Sequence, residues 1–174
     1  LTDWKLSNIV NGEYFCDTLE SIVRDSVEKT NSCMEQLKER REEDVETLVD
    51  ALTLSGIAMD FIGNSRPASG AEHHLSHFWE MQFLFDGRTA VLHGAKVGIG
   101  TVIALRLYNE LAVMEKPDFE ALRGEVKDRM GFDAWEQVMK EVYRDAAPSV
   151  IALEKEAGKN DPEKLLKRLD VIDK

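Results

Sequence analysis

The apolar residues of this 174-residue chain recur at three- and four-residue steps along most of its length. Residues at this spacing lie on one face of an α-helix, so the pattern predicts amphipathic helices. We predict long helices near 14–37, 42–61, 68–85 and 91–114, and shorter ones near 118–127, 133–145, 148–157 and 161–170. Alternating patterns typical of strands are nearly absent. The sequence therefore predicts an all-α helical bundle, with residues 1–174 forming a single domain.

The helix predicted at 91–114 is the most apolar of the set, and we expect it to be the buried central helix. Gly94, Gly98 and Gly100 near its start do not have the spacing of a dinucleotide-binding fingerprint, and no strand precedes them. Glycines within an apolar helix allow close packing or close approach of a ligand, and close packing is favoured here. Asp161 followed by Pro162 is typical of a helix start, with Asp161 as the N-cap.

Charge and composition exclude several classes of protein. The net charge is −11 at pH 7, and no basic face is visible, so nucleic-acid binding is not expected. No apolar stretch reaches the roughly 20 residues that span a bilayer. Cys16 and Cys33 are the two cysteines, and their spacing fits neither a structural zinc site nor a disulfide framework. Reduced thiols in a cytoplasmic protein are expected.

All four histidines fall between positions 73 and 93. His73 and His77 share one face of the predicted helix, and such a pair can hold a divalent metal if further ligands come from elsewhere. His93 opens the next helix and is placed to face them. His74 points to another side, and we expect no role for it. The alternative is that these are surface or core histidines, although their clustering favours a site.

Two further residues in this region have open interpretations. Arg66 precedes Pro67 and a predicted helix start that carries Ser69 and Gly70, an arrangement that suits an anion. An ordinary salt bridge would explain Arg66 equally well. Glu80 lies seven residues after His73 on the same face, where it can either support an imidazole or face solvent.

Three segments together resemble a known family. They are the run SRPASGAEHHLSH at 65–77, the segment His93-Gly94 with Val97-Gly98-Ile99-Gly100-Thr101, and the opening Asp3-Trp4-Lys5-Leu6. This combination resembles the sn-glycerol-1-phosphate dehydrogenases, in particular the bacterial branch associated with arabinose operons. These enzymes belong to the superfamily of glycerol dehydrogenases, dehydroquinate synthases and iron-containing alcohol dehydrogenases. The resemblance extends to about residue 114, and beyond Pro117 it rests on helical character alone.

The resemblance implies that this chain is the C-terminal helical domain of a dehydroquinate synthase-like two-domain enzyme. Such an enzyme interconverts dihydroxyacetone phosphate and sn-glycerol 1-phosphate. In the family pattern His73 and His93 correspond to metal ligands for zinc or nickel, and His77 to the residue that contacts substrate and relays a proton. Arg66 corresponds to a phosphate contact.

The resemblance also implies what should lie outside the chain. NAD(P) binds the N-terminal domain, so no cofactor-binding residue is expected here. The third protein ligand is an aspartate shortly before the Asp3-Trp4-Lys5-Leu6 segment, and Asp3 is a poor substitute for it. We therefore expect the isolated chain to be inactive, and its partners to be a small phosphorylated substrate, its own N-terminal domain and a second copy in a homodimer.

Three alternatives stay open at this stage. The first is a glycerol or other polyol dehydrogenase of the same superfamily, which acts on an unphosphorylated substrate. The second is a non-enzymatic helical metal-binding module, which would need a complete ligand set such as His73, His77 and His93. The third is a structural interaction domain with incidental histidines.

Overall fold

The computed structural model describes residues 1–127, 132–158 and 161–174. Apart from turns and loops, these ranges contain helices and no strand, which confirms the predicted all-α class. Within them, no helix is long and apolar enough to cross a membrane. The helices form two compact units, Leu1–Ala71 and Glu72–Lys174. The expectation of a single domain stays a prediction.

The first unit holds four helices: α1 (Thr2–Asn11), α2 (Asp17–Ser32), α3 (Met34–Leu37) and α4 (Glu42–Ile62). Helix α2 packs along α4. Trp4 of α1 is fully buried, and its indole Nε1 donates a hydrogen bond to the carbonyl of Tyr14 at 2.8 Å. The Phe15 ring lies against the indole with a centroid separation of 4.6 Å. This aromatic contact holds α1 against the segment that leads into α2.

The predicted helix at 14–37 is interrupted in the structure. Helix α2 begins at Asp17 and ends at Ser32, and the short α3 follows a break at Cys33. Near the break, the Thr30 hydroxyl donates to the Ser26 carbonyl at 2.9 Å and the Ser32 hydroxyl to the Lys29 carbonyl at 2.7 Å. Such side-chain bonds compete with the helical hydrogen bonds, and apolar spacing does not reveal them. Helix α1 lies ahead of the first predicted helix and was not predicted.

The second unit contains six α-helices within the described ranges, and a 3-10 turn at Arg144–Ala146 joins two of them. The α-helices are α5 (Ala71–Phe85, starting at the last residue of the first unit), α6 (His93–Val113), α7 (Phe119–Lys127), α8 (Phe132–Tyr143), α9 (Ala147–Ala157) and α10 (Pro162–Ile172). Helix α8 packs on α9 and α7 on α10. The Gln82 amide of α5 donates to the Val142 carbonyl of α8 at 3.0 Å. The predicted N-cap is confirmed, because the Asp161 carboxylate accepts from the backbone N–H of Glu163 at 2.9 Å.

The expectation that α6 is a buried central helix is wrong for the described residues. Its buried residues are Lys96, Gly100 and Ala104, which form one narrow stripe at four-residue spacing. Large apolar residues on its other sides are exposed, among them Ile99 at 60% and Leu105 at 56%. Apolar composition predicts that a helix packs against a neighbour, but the α6 residues that are buried here are one lysine and two small residues.

The predicted close packing at a glycine is confirmed at Gly100. A Cβ placed there would lie 2.6 Å from the backbone carbonyl oxygen of Glu72 on α5. Neither Gly94 nor Gly98 has any atom within 4 Å of such a Cβ. Of these three glycines, Gly100 alone is required by the close approach of α6 to the start of α5.

We therefore expect Gly100→Ala to lower the free energy of unfolding by about 1–3 kcal/mol, since a methyl group there must displace backbone. Gly98→Ala is the matched control on the same helix. It has free space, and replacing a helical glycine by alanine stabilises by up to about 1 kcal/mol. Urea denaturation of the two variants and the parent chain measures both effects. Equal stabilisation by both substitutions would contradict the packing at Gly100.

Candidate metal and substrate site

Helices α5 and α6 bring three of the four histidines together. His73 and His77 lie one turn apart on α5, and His93 is the first residue of α6. The ring centroid of His93 lies 5.2 Å from that of His73 and 5.3 Å from that of His77. His74 is exposed, as expected. The sequence expectation that His93 faces the α5 pair is therefore met in the structure.

The carboxylate of Glu80 contacts three other side chains of this cluster. Its Oε1 accepts from His93 Nδ1 at 2.9 Å and from Lys96 Nζ at 3.2 Å, while its Oε2 accepts from His77 Nδ1 at 3.0 Å. The hydrogen bonds from His93 and then His77 lower the pKa of Glu80 to about 2, with Lys96 contributing and burial opposing them. The sequence left open whether Glu80 supports an imidazole or faces solvent, and the structure shows that it contacts two imidazoles.

The Glu80 contacts determine which nitrogens of the imidazoles are free. An ionised carboxylate only accepts hydrogen bonds, so the Nδ1 atoms of His77 and His93 that face it carry the hydrogens. Each neutral ring then has its lone pair on Nε2. Neutral imidazole nitrogen is the form that binds a metal or accepts a proton.

His73 and His93 face each other through ring nitrogens. His93 Nε2 lies 3.3 Å from His73 Nδ1. At this distance the two nitrogens can share a hydrogen bond, and the distance also matches the roughly 3.3 Å between two nitrogens that would bind one tetrahedral zinc ion. Burial lowers the pKa of His73, and the neighbouring His93 and His77 lower it further against an opposing effect of Glu72. The neutral form is thereby favoured, as a ligand requires.

A second group in the described residues has suitable donor atoms. His77, Glu80 and His93 offer ligand atoms that all lie within 4.8 Å of one another. However, Glu80 already accepts hydrogen bonds from both imidazoles, and the ammonium of Lys96 lies against it. A cation at hydrogen-bond distance disfavours a second cation on the same carboxylate. An ion held by this group would therefore have to displace hydrogen bonds that Glu80 already accepts.

Sequence reasoning missed two residues of this cluster. Lys96 is buried and lies one turn after His93 on α6. Ser76 is fully buried, and its hydroxyl lies 3.3 Å from His93 Nδ1. Their spacing from His93 and His73 was the available signal, because residues three positions apart share a helix face. The residue types did not indicate that these two side chains would be buried, since serine and lysine are common on helix surfaces.

Arg66 belongs to the first unit and is engaged in a salt bridge. Its Nε and Nη2 each lie 2.8 Å from a carboxylate oxygen of Glu13, and Nη2 also lies 3.3 Å from the Ser7 hydroxyl. The N–H of Ala71, at the start of α5, donates to the Asp3 carboxylate. Both anion-binding features expected from the sequence thus hold carboxylates of the chain itself. A phosphate contact by Arg66 stays a prediction.

The Arg66 pair should make stability depend on pH. Burial would raise the pKa of Glu13, but hydrogen bonds from Ser7 and Arg66 and the charge of Arg66 outweigh it, so the folded-state pKa lies below 4.5. The stabilisation is therefore complete above pH 4.5 and is lost as the pH falls through the folded-state value. We expect Glu13→Gln to cost at most about 1 kcal/mol at pH 7 and less at acidic pH, because the pair is partly exposed.

Urea denaturation at several pH values measures this difference, with Glu35→Gln as the control. Glu35 pairs with Lys38, but both side chains are more than two-thirds exposed, at 80% and 71%. A loss of stability for Glu13→Gln that is independent of pH would rule out the ion pair as its cause.

The sequence of this chain is similar to that of several known proteins. The chain is 40% identical over 125 residues to the glycerol-1-phosphate dehydrogenase, NAD(P)+, of Halalkalibacterium halodurans, covering 72% of this chain and 31% of that protein. It is 36% identical over 157 residues to the enzyme of the same name from Geobacillus thermodenitrificans, covering 87% of this chain and 36% of the relative. It is 41% identical over 106 residues to the Pyrococcus horikoshii protein of that name, covering 61% of this chain and 30% of that protein.

No family model matches the chain, and no solved structure does. The chain spans about a third of the length of the curated relatives it matches. These relatives share one name, which is the name of the family that the histidine-rich segments resemble. The sequence identity shows that this chain belongs to the glycerol-1-phosphate dehydrogenase family.

Proposed function

We propose that this chain is the metal- and substrate-binding part of an NAD(P)-dependent sn-glycerol-1-phosphate dehydrogenase, which reduces dihydroxyacetone phosphate to sn-glycerol 1-phosphate. The observation that carries the proposal is the facing pair His73 Nδ1 and His93 Nε2, 3.3 Å apart and backed by Glu80. The names of the relatives, which specify glycerol 1-phosphate and NAD(P)+, support it.

In this proposal His73 and His93 hold a divalent ion, zinc or nickel. When bound, the ion polarises the ketone oxygen of the substrate and stabilises negative charge on it. Glu80 accepts the Nδ1 hydrogen of His93 and so directs the Nε2 lone pair of that ring toward the ion. A third protein ligand, an aspartate, comes from outside this chain.

His77 contacts substrate and relays a proton. Its Nδ1 donates to Glu80 at 3.0 Å, which orients the ring and leaves Nε2 free to exchange a proton with the substrate oxygen. The side chain is 60% exposed, so a substrate can reach it. Glu80 stabilises the imidazolium that forms when the ring takes up a proton.

Arg66 binds the phosphate of the substrate. Its two donors already hold a carboxylate in a bidentate arrangement, and the same planar fork matches two phosphate oxygens. Binding then requires that phosphate displace or join Glu13. The polyol dehydrogenase alternative is kept for this reason, because an Arg66 that stays paired with Glu13 would leave no phosphate contact there.

Other parts of the proposal lie outside the described site. NAD(P) binds an N-terminal domain of the longer enzyme, and two copies form a homodimer. Cys16 and Cys33 are unpaired, which supports a cytoplasmic location where thiols stay reduced.

Zinc binding by the chain alone tests the ligand assignment. We expect calorimetry to show one ion per chain, with His73→Ala and His93→Ala each weakening binding more than the 10–100-fold typical of losing a supporting contact, because each removes a ligand. His74→Ala is the matched control and should change nothing. His77→Ala should retain binding. Loss of binding in His77→Ala but not in His73→Ala would place the ion with Glu80 instead.

A chimera tests the activity and the substrate. This chain replaces the aligned segment of the Halalkalibacterium halodurans enzyme, and oxidation of glycerol 1-phosphate and of glycerol by NAD+ is compared. We expect the chimera to prefer the phosphorylated substrate and the isolated 174-residue chain to be inactive. Arg66→Ala should reduce that preference by about 10- to 100-fold, the equivalent of a charge-assisted hydrogen bond.

The ratio of the two oxidation rates, measured on one variant, does not depend on how much of that variant is folded. Glu13→Gln frees Arg66 and should preserve or increase the preference for phosphate. An unchanged ratio in Arg66→Ala would overturn the phosphate contact and favour a polyol dehydrogenase. Substrate oxidation by the isolated chain would overturn the proposal that an N-terminal domain must supply the NAD(P) site.

A further inference from the structure

We propose that Lys96 is a positioning residue, which anchors Glu80 so that His93 and His77 are both held with their hydrogens on Nδ1 and their lone pairs on Nε2. This inference rests on the proposed function for its consequence, the readiness of His93 for metal and of His77 for proton transfer. The hydrogen-bond arrangement itself stands on the geometry of α5 and α6.

The environment of Lys96 is unusual for a lysine. Its side chain is only 7% exposed, and its Nζ contacts Glu80 Oε1 at 3.2 Å and the Val91 carbonyl. A buried ammonium is costly unless it is paired and hydrogen-bonded. The position of Lys96 on the buried stripe of α6 therefore requires an acceptor beside it, and the side chain that serves is Glu80.

The anchor limits where Glu80 can go. Its side chain is 33% exposed, so without a fixed cation it could rotate into solvent. With Oε1 held by Lys96, Oε1 also faces His93 Nδ1 at 2.9 Å and Oε2 faces His77 Nδ1 at 3.0 Å. One carboxylate thus determines which nitrogen carries the hydrogen on two rings, and Lys96 determines where that carboxylate lies.

The consequence differs between the two rings. On His93 the Nε2 without a hydrogen faces His73 Nδ1 at 3.3 Å and can accept a hydrogen bond from it, at the place proposed for the ion. On His77 the free Nε2 belongs to an exposed ring. If the hydrogens moved to Nε2, His93 could not act as a ligand there and His77 would present a donor instead of an acceptor. The Lys96–Glu80 pair therefore prepares both functions at once.

Long-range ¹H–¹⁵N NMR of the histidine rings tests the proposal on the full 174-residue chain without any metal. We expect the neutral form of the His93 and His77 rings to carry its hydrogen on Nδ1. In Lys96→Met both should shift toward mixtures of the two tautomers. In Glu80→Gln at least one should change, because one amide oxygen cannot accept from both rings and Lys96. His74, exposed and outside the cluster, is the internal reference and should stay constant.

Lys155→Met is the matched control. It removes a lysine that pairs with Glu136 at 3.3 Å within the same unit and should leave all the histidine signals unchanged. If Lys96→Met does not fold by circular dichroism, Lys96→Gln, which keeps a donor but no charge, takes its place and should give a smaller shift in the same direction. Wild-type rings with hydrogen on Nε2 would overturn the proposal. Lys96 variants with wild-type tautomers would overturn it as well.

Zinc titration separates this inference from the proposed function. Lys96→Met and Glu80→Gln should weaken zinc binding about 10–100-fold, as expected when a supporting contact is lost. If the wild-type chain shows the expected tautomers but binds no zinc, the assignment of the ion to His73 and His93 fails and the positioning role stands. If zinc binds and the variants leave both affinity and tautomers unchanged, the positioning role fails.

Discussion

The hydrogen bond between Glu80 and His93 Nδ1 is the interaction on which the candidate site depends. It joins the middle of α5 to the first residue of α6 at 2.9 Å and brings His93 toward His73 and His77. A carboxylate in this position serves two purposes, because it attracts the imidazoles electrostatically and determines which ring nitrogen carries the hydrogen. Without it, three neighbouring histidines would repel one another when protonated.

The close approach of the helices makes this bond possible. Gly100, one turn beyond Lys96 on the buried stripe of α6, lies against the backbone of Glu72. A larger residue there would push α6 away from the start of α5, where His73 lies one residue after the contact. The packing at Gly100 and the polar cluster are therefore parts of one arrangement, in which a missing side chain at one position allows charged and aromatic side chains to meet at others.

The charge distribution in the cluster explains why its roles differ between residues. Lys96 supplies a fixed positive charge beside Glu80, and this disfavours a second cation on the same carboxylate. On the opposite side of His93, a ring nitrogen of His73, whose pKa burial lowers, faces it. One ring therefore presents two chemically different sides: a hydrogen-bonded side that is fixed by Glu80 and a lone-pair side that suits a metal.

Local sequence patterns determined much of this protein. Apolar spacing predicted an all-α chain, α4 to within one residue and α6 to within two residues at its N-terminus, since an amphipathic helix needs only a repeat along the chain. The grouping of histidines predicted that His93 would face His73 and His77. Tertiary structure alone decided the rest: Arg66 pairs with Glu13, 53 residues away in sequence, and Lys96 anchors Glu80. It also left most of the apolar surface of α6 exposed. These outcomes depend on which side chains meet across helices, and a one-dimensional repeat carries no information about that.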